Sequence, residues 1–207
     1  MLIETTPHTR FGLLRHAETI WNREKKIQGL SDSPLTREGS QQAQKWGDLL
    51  RVISWDRILV SDIGRAVETA TRINRVIRIP MTTEKRLREQ DWGSWTGKTP
   101  REIERHERQV LAEQTRAGWK FCPPKGEDRL SVWYRSHAAL REAAETWPGQ
   151  TILVVTHEGV IKSLIYHLSG RRFVPAEPPI IQSMHLHWLY DDRHGLQLGE
   201  LNALPLG

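Results

Sequence analysis

The chain predicts an α/β fold, a three-layer sandwich whose mostly parallel central sheet carries helices on both faces and a helical cap or insertion. Three short runs point there: residues 11–15, 56–61 and 151–156 are mainly apolar and stop abruptly in polar or charged residues. After each, directly or across a loop, apolar residues recur at helical spacing. Strands covered on both faces read as near-continuous apolar runs, and their alternation with helices favours parallel crossover units.

The first strand is Phe11-Gly-Leu-Leu-Arg15, followed by a long loop over 17–35. Thr36 caps a helix over about 37–50, with Glu38 in its first turn and Ala43, Trp46, Leu49 and Leu50 on one face. Asp56–Ser61 is the second strand, and Ala66, Ala70, Ile73 and Ile77 mark a helix beginning near Arg65. Residues 99–147 are mostly helical in pattern, broken at Gly118 and at Pro123-Pro124-Lys125-Gly126. We read 90–147 as a cap within one domain spanning 1–207. Thr151–Thr156 is the clearest strand, and Val160, Ile161, Leu164, Ile165 and Leu168 give the next helix. Alternation over 184–189, a turn at 191–195 and the run 196–201 close the chain as a hairpin or edge strands.

Composition narrows the partner. With 207 residues and 38% hydrophobic content, one ordinary core is affordable. The net charge of +5 favours an anionic ligand, but 30 basic residues interleave with 25 acidic ones, which suits a small phosphorylated substrate rather than nucleic acid. The densest basic run, Arg23-Glu24-Lys25-Lys26, reads as a solvated face. Cys122, the one cysteine, forms no internal disulfide and suggests no metal site, so a reducing, cytoplasmic setting is expected. No basic, apolar leader stands at the N-terminus and no membrane span is expected; a homodimer is left open. The nine tryptophans are scattered singly, as core and pocket fillers.

Three strand ends should meet at one sheet edge: Arg15-His16, then Ser61-Asp62 with Arg65, then His157-Glu158-Gly159. Guanidiniums grip phosphate oxygens in pairs, and an imidazole supplies a donor or a nucleophile.

These residues carry a resemblance. Leu14-Arg15-His16-Ala17-Glu18-Thr19 resembles the Arg-His-Gly-Glu-Thr signature of the histidine phosphatase superfamily, the phosphoglycerate-mutase-like proteins. Trp21-Asn22, Gln28-Gly29 and Asp32-Ser33-Pro34-Leu35-Thr36 follow as in that family, and Ser61–Ala70 is similar to its Ser-x-x-x-Arg-Ala-x-x-Thr-Ala segment. Leu87-Arg88-Glu89, Gly93–Gly97, Lys125–Asp128 and Val155-Thr156-His157-Glu158-Gly159 extend the likeness over nearly the whole chain. The resemblance implies a phosphohistidine at His16, phosphate held by Arg15, Arg65 and His157, assistance from Asn22, and Glu89 as proton donor. It extends phosphate or substrate contact to Thr19, Gln28 and Gly29. A metal-independent phosphomonoesterase without cofactor is the leading expectation. A cofactor-dependent phosphoglycerate mutase is the rival, weakened because 99–150 looks shorter than in those mutases. A non-catalytic phospholigand scaffold is the third reading.

The chemistry sets further expectations. One nitrogen of His16 should donate to a backbone carbonyl so that the other is free to attack phosphorus. Arg15, Arg65 and a protonated His157 would balance charge on the transferring group. Glu89 would protonate the ester oxygen from a partly dry pocket walled by Trp92 and Trp95. Ala17 and Glu158 replace usual glycines; the first is harmless only at negative φ, and the second places a carboxylate near the anion site, where, at a helix start, it is favoured by the dipole and could point outward. Asn22 could instead be a capping or turn residue, though contact with the substrate is the favoured reading, and Glu127 is a helix-start residue or a partner behind the site. His185 and His187, alternate residues of one strand, read as core or edge histidines rather than a metal pair.

Overall fold

In a computed structural model, which describes residues 8–192 and 194–206, the apolar run around Phe11 becomes strand β1 (Thr9–Arg15). β1 lies parallel to β4 (Thr151–Thr156), with Leu13 opposite Val154. β4 is parallel to β2 (Arg57–Val60), and β2 to β3 (Met81–Thr83). On the other side β1 runs antiparallel to β5 (His185–Asp192), which forms the expected hairpin with β6 (Gly195–Leu198) and also pairs β7 (Leu204–Pro205). The order β3-β2-β4-β1-β5-β6 makes the sheet parallel at its centre, with the antiparallel strands on one side.

Side chains alternate across this sheet. Phe11, Leu13, Ile152 and Val154 face one helical layer, while Leu14, Leu153, Val155 and Ile58 face the other. The second layer is α2 (Arg37–Leu50) and α3 (Gly64–Ile77), whose Trp46 and Ile73 are buried against the strands. The first is α5 (Arg129–Thr146) and α6 (Glu158–Leu168), through Leu140, Leu164 and Ile165. Each fully buried Leu or Ile contributes about 1.5–3 kcal/mol, so the strands are held by both layers at once.

The helical region over 90–147 packs in two places. Val132, Trp133, Ala139 and Leu140 place α5 in the main core, so helical periodicity there reported a buried face but not what it was buried against. What stands apart is α4 (Pro100–Arg116), whose Ile103 joins Trp95 and Phe121 in a small separate cluster. The loop over 17–35 holds one short helix, α1 (Ile20–Arg23). The reading of the N-terminus as lacking a leader concerns residues 1–7, which lie outside the described residues, as does Arg193 of the 191–195 turn. Among the described residues no helix is long and apolar enough to cross a membrane.

Candidate active site

The C-terminal ends of β1, β2 and β4 converge as the strand pattern predicts. His16 continues the β1 ladder, its N–H donating to the Thr156 carbonyl at 2.9 Å. Its Nδ1 lies 2.8 Å from the Ala17 carbonyl, which can only accept, so Nδ1 carries the proton. Nε2 is therefore a lone-pair nitrogen, and it accepts from Arg65 Nε at 3.2 Å. Burial, reinforced by Arg15 and Arg65, holds the His16 pKa well below the usual imidazole value. Ala17 does not have positive φ, which is why a methyl is tolerated there.

Arg65 is fixed in three directions. Its Nη1 and Nη2 donate to the carbonyls of Ser31 at 2.7 Å and Gly29 at 2.8 Å, and its backbone N–H reaches Asp32 Oδ1 at 3.1 Å. Asp32 thus caps α3, whose own N-cap, Ile63, has no capping side chain. The approach is possible because residue 64 is glycine: a Cβ there would sit 2.1 Å from Asp32 Oδ2. Gly29 itself has φ of +52°, a conformation that suits glycine, and presents its carbonyl to Arg65.

His157 is fully buried against His16, ring centroids 5.3 Å apart, with Nε2 2.8 Å from Ser61 Oγ. Its Nδ1 has no hydrogen-bond partner among the described residues. Burial, with Arg65, His16 and Arg15 nearby, drives its pKa well below the imidazole value, so the ring at rest is neutral.

Glu89 follows a 3-10 turn over Lys85–Leu87. Its Oε1 accepts from the Gln90 N–H at 2.8 Å and its Oε2 from the Gly159 N–H at 3.3 Å. Burial raises its pKa against the opposing pull of those N–H groups, Arg65 and Arg15. A Cβ at residue 159 would lie 2.3 Å from Glu89 Oε1, so that glycine makes room for the acid. Trp92 lines the cavity as expected, but Trp95 is fully buried beneath it and donates to Glu107 at 2.9 Å.

His16, Arg65 and Glu89 open onto a cavity of about 570 Å³ lined also by Arg15, Asn22, Gln28 and Gly29, with Lys25, Lys26, Arg129 and Lys162 farther around it, whereas His157 lies buried behind His16 and does not line it. Asn22 lines it, yet its Oδ1 and N–H also form a reciprocal cap with Thr19. Thr19 is fully buried and does not line the cavity; its hydroxyl serves that cap, not a ligand. Gln28 is nearly buried, with Oε1 unpartnered among the described residues. Glu158 does not point outward: Arg15 Nη1 donates to its Oε2.

Sequence reasoning missed Arg135. Its guanidinium donates to the carbonyls of Arg86 and Arg88, both at 2.6 Å, and of Glu89 at 3.0 Å, while pairing with Glu127 at 2.7 Å. That clamps the segment bearing the acid and makes Glu127 a partner behind the site. His185 Nδ1 lies 2.9 Å from the Ser183 carbonyl, and His187 Nδ1 accepts from the Asn202 N–H at 3.1 Å.

Residues 11–203 match the model of the histidine phosphatase superfamily (branch 1). The chain belongs to the histidine phosphatase superfamily. A Salmonella choleraesuis protein named probable phosphoglycerate mutase GpmB is 37% identical over 167 residues, 76% of this chain and 74% of that protein. Bacillus subtilis PhoE, named an uncharacterized phosphatase, is 30% identical over 158 residues, 76% of each chain. The structure of Bacillus stearothermophilus YhfR superposes with a TM-score of 0.87 at 31% identity, over 96% of this chain and 98% of that one. Mutase and phosphatase names both occur among the relatives of this member of the histidine phosphatase superfamily, a superfamily of phosphoryl-transfer enzymes.

Proposed function

We propose that this protein is a metal-independent phosphomonoesterase that hydrolyses a small phosphorylated metabolite through a phosphohistidine on His16. One observation carries the reading: His16 Nδ1 is tied to the Ala17 carbonyl while unprotonated Nε2 stands against Arg65. In the first step Nε2 bonds to phosphorus, the ester P–O bond breaks, and Glu89 gives its proton to the departing oxygen. In the second, the Glu89 carboxylate takes a proton from water, whose oxygen attacks phosphorus as the N–P bond breaks. Arg15 and Arg65 balance the equatorial oxygens. The orphaned His157 Nδ1 adds a donor once an arriving phosphate dianion favours protonation of that ring.

A second reading, mutase, has its own support. Six cations line the cavity against two carboxylates, more than one phosphate neutralises. Arg129 stands between the rings of Phe121 and Phe173 at 4.2 and 4.0 Å, with no carboxylate partner among the described residues, and burial brings its pKa down to about 10.

The test is release of phosphate from p-nitrophenyl phosphate in EDTA by the wild type and by His16→Ala, beside 3-phosphoglycerate offered with 2,3-bisphosphoglycerate. Phosphomonoesterase activity predicts EDTA-resistant hydrolysis, an acid-labile protein-bound phosphate, and a loss on the order of 10³-fold or more in the variant. Isomer interconversion at a comparable rate replaces the proposal with the mutase; silence in both assays leaves the scaffold.

A further inference from the structure

Glu158 stands where the family signature usually has glycine, and no step above uses it. It opens α6, and its carboxylate is shared: Arg15 Nη1 donates to Oε2, and Lys162 Nζ donates to Oε1 at 2.5 Å from one turn further along. All three residues line the catalytic cavity with His16 and Arg65. They also line an adjoining cavity of about 230 Å³ walled in part by Ile161, Ile181 and Met184.

Burial works against ionisation of Glu158, yet Arg15 and Lys162 hold its carboxyl below the ordinary range, so it is an anion at neutral pH. Arg15 Nη1 has no other hydrogen-bond acceptor among the described residues. A guanidinium grips carboxylate and phosphoryl oxygens by the same charge-assisted bonds. A phosphate dianion entering the cavity therefore meets a like charge already seated on Arg15, one of the two arginines that flank His16.

We propose that Glu158 is a built-in rival of the substrate phosphate for Arg15, and that Lys162 is the counter-cation that draws it away when phosphate arrives. The proposal rests on the phosphoryl-transfer reading of this cavity. Such a rival loosens the grip on inorganic phosphate as well as on substrate, and so limits inhibition by product. Had Glu158 instead served to aim Arg15 at the ligand, removing its charge would weaken anion binding, the opposite sign.

The sign decides the experiment. Orthophosphate and orthovanadate are titrated calorimetrically into wild type, Glu158→Gln, Lys162→Met, the double variant and Arg65→Met. Both side chains at 158 and 162 are about one third exposed, 35% and 33%, so these changes leave the core intact. Glu158→Gln tightens both anions by roughly fivefold, and the KM for p-nitrophenyl phosphate falls with the phosphate inhibition constant. Lys162→Met loosens them, and in the Glu158→Gln background that loosening shrinks to less than half, because Lys162 acts largely through Glu158. Equal or weaker anion binding in Glu158→Gln overturns the proposal, as does an undiminished Lys162→Met effect in the double variant. If Arg65→Met abolishes binding while Glu158→Gln leaves it unmoved, only the rival role is lost. If the wild type binds neither anion, the parent reading falls with it.

Discussion

At His16 the two ring nitrogens have separate tasks, and burial keeps the ring neutral far into acid. Glu89 is the complementary case, a carboxyl whose surroundings push it toward the protonated form it needs in order to donate. Opposite shifts in a nucleophile and an acid widen the window in which His16 is neutral while Glu89 still holds its proton, and so give a bell-shaped pH dependence. The signs are definite: kcat/KM falls with rising pH as Glu89 ionises above its raised pKa, and falls with acid only where His16 finally protonates. In Glu89→Gln the alkaline limb of the profile should disappear, and kcat on an alkyl phosphate should drop roughly 10²–10⁴-fold. The drop should be much smaller with p-nitrophenyl phosphate, whose phenolate leaves without a proton. An unchanged alkaline limb would remove Glu89 from the role.

Helix ends and turns set those side chains in place. The N-terminus of α6 brings the Gly159 N–H to Glu89, and the Cβ of Gly159→Ala would overlap Oε1, the movable end of a side chain. Stability should therefore change by less than about 1 kcal/mol while kcat falls on the order of tenfold or more; a melting temperature and a rate measured on one preparation check both. Arg135, on α5, predicts a different balance. Arg135→Met would strip three carbonyls of their donor and leave Glu127 without its cation, costing about 2–3 kcal/mol in a denaturant titration, with a loss in kcat as the acid's segment loosens. No loss of stability would show the clamp to be idle. Arg135 was illegible beforehand for a physical reason: its acceptors are main-chain carbonyls, which leave no mark on residue identity. β3 escaped for another, since all three of its residues are exposed and carry no apolar alternation. The partner of α5 was not legible because a helical period shows that one face is buried, not what covers it.

The central strands were readable because each is buried on both faces, and burial forces their chemistry to the ends, where His16, Arg65 and His157 lie in chain order. What could not be read was the electrostatic state created by bringing them together, including the neutral His157 and the inward Glu158. Thr19 shows the same limit: it lies within the signature, yet its side chain is occupied by the cap of α1. That assembly has an energetic consequence for the fold. Six cations and two carboxylates around one cavity repel in the free protein, and a phosphate-like anion relieves the repulsion only when the three strand ends are in register. Orthovanadate or phosphate at a hundredfold excess over its dissociation constant should therefore stabilise the protein by about 2.7 kcal/mol, raising the melting temperature by roughly 5–10 °C for a chain of this size. Salt should erode the rise, and Arg65→Met should abolish it, because Arg65 ties the loop carbonyls of Gly29 and Ser31 to the His16 ring. A melting temperature indifferent to both anions would mean that the converging strand ends do not form an anion site.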